Sequence, residues 1–264
     1  MPLLSASNPI GMPFIELQSI DSTNKYAMTI VHQNQLPDGQ GEPQHGMAIF
    51  SHEQTAGKGQ RGKVWTSEKD ANIALSILLN PYPLSITEQF RLSICIAVSV
   101  ADFFMKYAGD ETKIKWPNDL YWRDRKAGGI LIENIIRNNE WKWAIAGIGI
   151  NINQTSFDPK LPNPVSLKQI TGKKINTLEA AKEICKEIEM NFQLLINNHF
   201  EKLYNKYLNL LYKKDESVRF RRNNRLFDAI IKGVTPAGEL IISHSIEEKI
   251  LLGEIEWIVT STKK

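Results

Sequence analysis

Apolar and polar positions alternate along this chain with two different spacings, and the shorter spacing predicts strands. Six short segments are apolar or rich in β-branched residues. They lie at residues 14–17, 47–51, 72–79, 113–116, 131–137 and 141–153. Asn138-Asn139 separates the last two, and this dipeptide is typical of a hairpin turn. The segments therefore predict a sheet that includes at least one antiparallel pair.

The longer spacing, with apolar residues three and four positions apart, predicts helices. These lie at residues 22–32, 85–109, 177–195 and 201–212. Asp21 or Ser22 is suited to begin the first helix, and Asn176 or Thr177 the third. Residues 85–88 resemble a capping box at the start of the second. By contrast, residues 54–66 have no apolar periodicity. We predict a long loop there, which is typical of a functional segment.

The pattern changes after Lys214, where short strand-like segments alternate with turn residues. Five such segments lie at residues 217–220, 226–233, 238–243, 249–252 and 254–259. Their length and spacing predict a small antiparallel β-barrel. The chain is therefore predicted to be an α+β protein, with strands and helices in one domain, residues 1–213, and a small β domain in residues 214–264.

Composition excludes several classes of protein. The 264 residues are 42% hydrophobic and 23% charged, which is ordinary for a globular protein and excludes disorder and fibrous repeats. A net charge of +3 does not indicate a nucleic-acid-binding protein. No segment reaches the roughly 18 apolar residues of a membrane span, and no secretory signal is present. Cys95 and Cys185 have no metal-ligand spacing, and the five histidines are scattered. We expect reduced, buried thiols, no tightly bound metal and a cytoplasmic location.

The most distinctive segment is 57–65, which reads Gly-Lys-Gly-Gln-Arg-Gly-Lys-Val-Trp. Its glycines allow the backbone to approach a ligand closely, and its three cations supply charge for phosphate. These properties are equally consistent with a phosphate-binding loop and with an ordinary solvated loop. The segment is not a Walker loop, because no Gly-Lys-Ser/Thr ends it.

Three further motifs are ambiguous when taken singly. Residues 115–119 (Lys-Trp-Pro-Asn-Asp) present an amide and a carboxylate at a chain reversal, although a plain β-turn would have the same sequence. Lys126 precedes two glycines and an apolar strand, so its amine is expected at the mouth of the sheet. An ordinary lysine at the rim of the sheet would have the same position. Residues 147–153 (Gly-Ile-Gly-Ile-Asn-Ile-Asn) form a strand with glycines, which indicates close packing of a backbone or ligand.

Together and in this order, the four motifs resemble the biotin–protein ligase family. Asp21-Ser22-Thr23-Asn24 matches another family motif, and residues 126–133 match Lys-x-Gly-Gly-Ile-Leu-x-Glu. The likeness is dense from residue 14 to residue 153. The resemblance implies a mixed β-sheet with helices packed on it, followed by a small SH3-like barrel. In the C-terminal part the likeness concerns architecture alone. A member of the monofunctional type, without an N-terminal helix-turn-helix, is indicated because the resemblance starts within about 14 residues of Met1.

The resemblance implies a role for each matching residue. Activation of biotin by ATP to biotinoyl-AMP, with Mg²⁺ as activator, is expected, followed by transfer to a lysine of a biotin carboxyl carrier protein. Biotin is expected to be bound by Ser22, Thr23, Asn24, Gln54, Gly57, Lys58, Gly59, Lys126, Gly128 and Gly129. The nucleotide is expected to contact Lys58, Gln60, Arg61, Lys63, Trp65, Asn118, Lys126 and Asn151. The residues expected to act in catalysis are Lys126, Arg61 and Asp119, the last as a base for the acceptor lysine.

The basic loop departs from the arginine-rich pattern common in the family. Lys58, Gln60 and Lys63 occupy positions where arginine is frequent. Lysine keeps the charge but loses the bidentate guanidinium, and Gln60 has no charge. Weaker retention of the reactive adenylate is therefore predicted.

Two other functions have to be weighed against this interpretation. A lipoate ligase would share the fold and the reaction type, but its Gly-Gly-Gly and His-Asp motifs are absent from this sequence. A DNA-binding regulator would need a helix-turn-helix, for which the sequence before Phe14 is too short. We therefore expect no DNA partner. We also expect no membrane partner, and a monomer or homodimer.

Overall fold

The computed structural model describes residues 8–36, 39 and 41–258, and its largest element is a seven-stranded mixed sheet. Its strands are β1 (Phe14–Leu17), β2 (Ala48–Ser51), β5 (Asn72–Leu79), β6 (Thr112–Lys115), β7 (Asp119–Trp122), β8 (Arg125–Arg137) and β9 (Glu140–Asn151). They lie in the order β1-β2-β5-β9-β8-β7-β6. Only β1 and β2 pair in parallel, so the predicted mixed sheet is confirmed.

The helices cover both faces of this sheet. They are α1 (Thr23–Gln33), α2 (Gln89–Ala108), α3 (Leu167–Thr171), α4 (Thr177–Ile196) and α5 (Phe200–Leu210). On one face α1 packs on alternate strand residues such as Ile49, Leu78 and Ile145. The main core on the opposite face holds α2, α4 and α5, and the β5 residues that contact it alternate with those facing α1. The two-residue period of a strand therefore divides one sheet between two helical layers.

The predicted helices are confirmed, and their ends follow from identifiable caps. Asn176 accepts hydrogen bonds from two backbone N–H groups at the start of α4. The capping box at Ser85 and Glu88 opens a short 3₁₀ turn that runs into α2. The five-residue α3 was not predicted, because a segment this short shows no periodicity. Its first residues are nevertheless fixed by a capping box between Ser166 and Gln169.

A second, antiparallel sheet follows α5. It contains β10 (Ser217–Arg222), β11 (Arg225–Val234), β12 (Leu240–Ser243), β13 (Glu247–Ile250) and β14 (Glu256–Trp257). The order β13-β12-β11-β10-β14 places β13 and β14 at opposite edges, so the five predicted strands form a small sheet consistent with an SH3-like unit. The predicted end of the last strand at Val259 lies outside the described residues. The core of this sheet is continuous with the main core, and the Trp116 indole donates a hydrogen bond of 2.9 Å to the carbonyl of Gly238.

Two predictions about single segments are corrected. Residues 54–66 contain a small hairpin, β3 (Gly57–Lys58) paired with β4 (Val64–Trp65), where a loop without regular structure was predicted. The strand predicted at residues 131–137 begins at Arg125, so Lys126 lies inside β8 and not before it. Cys95 and Cys185 are buried free thiols, as predicted. Among the described residues, no helix has the length and apolar character needed to span a bilayer.

Candidate active site

A cavity of about 520 Å³ opens between the ends of β5, β7, β8 and β9, the β3–β4 hairpin and the C-terminal segment 252–257. This volume suits a small molecule or cofactor. Most of the predicted site residues line it: Ser22, Thr23, Asn24, Gln54, Lys58, Gly59, Gln60, Arg61, Lys63, Trp65, Asn118, Asp119, Lys126, Gly129 and Asn151. Segments distant in the sequence thus converge on one space.

Two predicted residues do not line the cavity. A β-carbon on Gly128 would lie 2.6 Å from the carbonyl oxygen of Gly149, so this glycine permits close pairing of β8 with β9. A β-carbon on Gly57 would lie 2.5 Å from the carbonyl oxygen of Trp65. Both glycines shape the walls of the cavity through backbone packing and have no surface in it.

One end of the cavity is an uncharged polar floor. Gln54 accepts hydrogen bonds from both the backbone N–H and the hydroxyl of Thr23, at 2.8 and 3.0 Å. Beneath them, the fully buried Ser76 lies 2.7 Å from the Thr23 hydroxyl and 2.6 Å from the Asn24 side-chain oxygen. The Asn24 amide donates to Glu133 at 2.7 Å. The hydroxyls and amides of the floor are therefore held in fixed orientations by a second layer.

Ser76 was missed at the sequence level, although a signal was available. It is the one hydroxyl in an otherwise apolar run of β5, Ile73–Leu79, on the strand face that α1 also covers. A buried hydroxyl in such a strand needs a polar partner, and here the partners are two site residues. An isolated serine in an apolar strand therefore predicts polar neighbours on the element that packs on that face, which here is the start of α1.

Two glycines of β9 allow large groups to approach the floor. A β-carbon on Gly147 would collide with the Asn24 side chain, and one on Gly149 would lie 2.7 Å from the Trp65 ring. The indole of Trp65 thus packs directly on the sheet, and its buried Nε1 has no hydrogen-bond partner among the residues that the structure describes. Ser22 is the N-cap of α1 and is only 2% exposed. The close packing predicted from the glycines of β9 is present.

The β3–β4 hairpin closes one side of the cavity with cationic residues. The backbone N–H of Gly59 donates to the carbonyl of Lys63 at 2.7 Å, and Arg61 has a left-handed φ of 57°. The Arg61 guanidinium packs against Gly253 of the C-terminal segment so closely that a β-carbon there would collide with it. The hairpin therefore contacts the second sheet unit as well as the first.

Lys126 and Asp119 form an ion pair in the cavity. The Lys126 ammonium donates a hydrogen bond of 2.6 Å to Asp119 Oδ1, and the two side chains are 31% and 26% exposed. Asp119 follows the turn between β6 and β7, where Asn118 donates its amide to the carbonyl of Ile130. The Asn151 amide donates to the carbonyl of Val165 at 3.1 Å. Both asparagines thus use their N–H₂ groups in the protein, and within the described part of the chain no hydrogen bond occupies their side-chain oxygens.

Lys115 also lines the cavity, although it was not predicted as a site residue. Its ammonium lies 5.1 Å from the ring centroid of Tyr121 and 5.0 Å from that of Trp257. Burial lowers the pKa of Lys115 to about 8, and nearby Lys126 and Lys63 lower it while Asp119 opposes the shift. The sequence signal was its position in the Lys-Trp-Pro-Asn-Asp motif, but the aromatic ring of Trp257, more than 140 residues away, could not be anticipated.

Comparison with known proteins gives one consistent family. The sequence model of the biotin/lipoate A/B protein ligase family matches residues 17–151. A bifunctional ligase/repressor BirA of Bacillus spizizenii is 30% identical over 252 residues, which cover 94% of this chain and 74% of that protein. A biotin–[acetyl-CoA-carboxylase] ligase of Mycobacterium tuberculosis is 26% identical over 147 residues, 54% of this chain and 53% of that protein.

A solved structure agrees in fold. A biotin protein ligase from Aquifex aeolicus, in complex with biotin and ATP, superimposes with a TM-score of 0.76 at 24% identity and covers 94% of this chain and 99% of that one. At this identity the likeness concerns the fold, including the small C-terminal sheet unit.

Proposed function

The chain belongs to the biotin/lipoate A/B protein ligase family, and from this membership we propose that it is a biotin–protein ligase that activates biotin with ATP and transfers it to a carrier lysine. The observation that carries the proposal is one cavity with two chemically distinct ends. Its uncharged floor of hydroxyls and amides suits the ureido ring of biotin. Its other end, with Lys126, Lys58 and Arg61, suits a carboxylate beside phosphates.

In the first half-reaction a biotin carboxylate oxygen attacks the α-phosphorus of ATP, and the bond to pyrophosphate breaks. Both reactants are anions, so the protein must neutralise and align them. We assign neutralisation to Lys126, Lys58 and Arg61, which line the same cavity. Gln60 contributes no charge, so retention of biotinoyl-AMP depends on these three cations and on Lys63.

Mg²⁺ is proposed as the activator. Among the described residues, no group of three or more His, Cys, Asp or Glu is placed to hold a metal ion. Mg²⁺ commonly binds through one or two protein oxygens together with substrate phosphates. The side-chain oxygens of Asn118 and Asn151, which line the cavity, fit that donor set. Bound there, Mg²⁺ would neutralise phosphate charge.

In the second half-reaction the acceptor amine attacks the carbonyl carbon of biotinoyl-AMP, and AMP leaves. An unperturbed lysine has a pKa of about 10.4, so roughly one in a thousand is a free amine near pH 7.4. Either desolvation of the acceptor lysine or a nearby base must help to release the free amine, and we assign the role of base to Asp119. Its ion pair with Lys126 keeps the carboxylate in the cavity beside the departing phosphate.

The carrier is proposed to be the biotin carboxyl carrier domain of a biotin-dependent carboxylase. The name of the Mycobacterium tuberculosis relative, which refers to acetyl-CoA carboxylase, supports this choice. A cytoplasmic location, a monomer or homodimer, and the division into residues 1–213 and 214–264 are proposed as well. The division is supported by the end of α5 at Leu210 and the start of β10 at Ser217.

The test is transfer of biotin to a purified carrier domain, followed by mass spectrometry. One added biotinoyl group on one lysine, dependent on ATP, is expected, and no modification would contradict the proposal. Calorimetry with biotin and with lipoate separates the two activities of the family, and lipoate binding in place of biotin would overturn the choice. A gel shift with biotin and ATP present tests the expectation that the chain does not bind DNA.

A further inference from the structure

A chain of four oxygen atoms crosses the polar floor of the cavity. It runs from Gln54 Oε1 through the hydroxyls of Thr23 and Ser76 to Asn24 Oδ1, with successive distances of 3.0, 2.7 and 2.6 Å. Each distance is short enough for a hydrogen bond. The amide oxygens at the two ends only accept, so the two hydroxyl protons have three contacts to fill. One contact in the chain therefore lacks a proton.

Glu133 fixes which end of the Asn24 amide faces this chain. The Asn24 N–H₂ group donates to the Glu133 carboxylate at 2.7 Å, and the carbonyl of Leu131 is a second, longer acceptor on the same side at 3.4 Å. The Asn24 oxygen is thereby turned to Ser76, which must give it its single proton. Asn24 is 4% exposed and Ser76 is fully buried, so these side chains, and not water, set the arrangement.

The direction of the chain decides what Thr23 and Gln54 offer to a ligand. Because Ser76 gives its proton to Asn24, the Thr23 hydroxyl can donate to Ser76 at 2.7 Å instead of to Gln54. Gln54 Oε1 then receives only the backbone N–H of Thr23, at 2.8 Å, and keeps a free lone pair. The Thr23 oxygen also keeps a free lone pair. Since both residues line the cavity, the floor can present two acceptors.

The opposite orientation of the Asn24 amide would remove one of these acceptors. With its N–H₂ group toward Ser76, Ser76 would donate to Thr23, and Thr23 would donate to Gln54. All three contacts would then contain a proton, and Gln54 would have no lone pair left for a ligand. The carboxylate of Glu133 opposes this arrangement, because it would face the Asn24 oxygen instead of the N–H₂ group.

We propose that Glu133 is a positioning residue that makes the floor specific for a ring with two N–H groups. Glu133 does not line the cavity, so it acts through Asn24 and Ser76. The ureido ring of biotin has two N–H donors, and one of them supplies the proton that the chain lacks at Gln54. The dithiolane ring of lipoate has no N–H. This inference rests on the proposed function, because it takes biotin as the ligand.

Calorimetry without ATP tests the role of Glu133. The ligands are biotin and its two lactam analogues, in each of which a methylene group replaces one ureido N–H. The analogue that lacks the N–H at Gln54 should bind the wild-type protein about tenfold more weakly than biotin does, through loss of one hydrogen bond. Glu133→Met keeps the size of the side chain but removes the acceptor. It should bind biotin about tenfold more weakly, and this analogue at least as tightly as the wild type does.

A second variant breaks the same chain at its next link. In Ser76→Ala the Thr23 hydroxyl can donate only to Gln54, so the result for Glu133→Met should be reproduced. Because both changes act through one chain, the double variant should bind biotin no more weakly than the weaker single variant. Asn134→Leu is the matched control: Asn134 follows Glu133 on β8 but points to the opposite face of the sheet, so both affinities should stay at the wild-type values.

The outcomes separate the role of Glu133 from the proposed function. Wild-type affinity of Glu133→Met for biotin would overturn that role, and so would an equal loss of affinity for biotin and the analogue, which indicates a general loosening of the floor. Additive losses in the double variant would also overturn it. In each case the ligase proposal would stand, whereas failure of the wild-type protein to bind biotin would overturn the ligase proposal itself. Glu133→Leu serves if the methionine variant does not fold.

Discussion

Replacing Lys126 by alanine removes the ammonium that lies 2.6 Å from Asp119 in the cavity. In the proposed mechanism this group serves both half-reactions: it offsets repulsion between biotin carboxylate and α-phosphate, and then stabilises AMP as it leaves. Loss of one preorganised electrostatic donor typically lowers a rate by about 10²–10³. Both adenylate formation and transfer should slow by that factor.

The effect on stability should be small. The side chains of Lys126 and Asp119 are 31% and 26% exposed, so solvent screens their interaction. A screened pair contributes up to about 1 kcal/mol to the free energy of unfolding. In a protein of this size, a loss of that order lowers the melting temperature by about 2–4 °C. A larger loss of stability would mean that the variant is misfolded and its rates uninformative.

The two half-reactions can be measured separately. Pyrophosphate exchange reports adenylate formation, and single-turnover transfer from added biotinoyl-AMP reports the second step. Lys126→Arg should recover only part of the activity, because the guanidinium is longer and planar. Asp119→Asn is the comparison variant and should slow transfer more than exchange. Wild-type rates for Lys126→Ala in both assays would refute the assignment of Lys126.

Three further predictions address the hairpin and the pH dependence of stability. Trypsin should cut residues 54–66 in the free protein, and biotin with ATP should protect them, because this segment is rich in charged side chains and has few apolar residues to anchor it. Equal cutting in both states would contradict this expectation. Gln60→Arg should slow dissociation of biotinoyl-AMP, as an arginine can pair with its phosphate, whereas an unchanged dissociation rate would mean that the other cations already suffice. His52 contacts Glu16 at 2.7 Å and Asp70 at 2.6 Å. The hydrogen bond to Glu16, together with the one to Asp70, raises the pKa of His52 above 6.5, although burial opposes this shift. The protonated form of His52 therefore stabilises the fold below pH 6.5, and this contribution is lost as the pH rises through the folded-state pKa. The His52→Gln variant should therefore lose more unfolding free energy at pH 6 than at pH 9. An equal loss at both pH values would refute the pairing of His52 with the two carboxylates.

Much of the fold could be predicted because local rules and tertiary packing agree. Asn138 and Asn139 both adopt left-handed φ angles, 52° and 59°, as the hairpin turn between β8 and β9 requires. Helix α2 is rich in apolar residues along its length and ends before Gly109, so its extent was predicted except at the start, where the capping box opens a 3₁₀ turn and the α-helix begins only at Gln89. The hairpin at residues 57–65 could not be predicted, because two-residue strands are too short to show alternation.

The sequence predicted which residues belong to the candidate site better than it predicted how those residues are arranged. The motifs indicated which segments carry polar and charged residues, and the cavity gathers most of them. Contacts between distant segments were not accessible: the layer of Ser76 and Glu133 beneath the floor, the packing of Arg61 on Gly253, and the position of Lys115 below Trp257 all depend on tertiary packing. The sequence can indicate that a buried side chain such as Ser76 needs a polar partner, but it does not show which residue supplies that partner.

The central claim is that this cavity joins biotin to AMP. Exchange of labelled pyrophosphate into ATP tests it most directly, because the exchange requires reversible adenylate formation and no carrier protein. Label should enter ATP only when biotin is present, and lipoate should not replace it. Exchange that proceeds without biotin, that requires lipoate instead, or that is absent with biotin, ATP and Mg²⁺ all supplied would contradict the account.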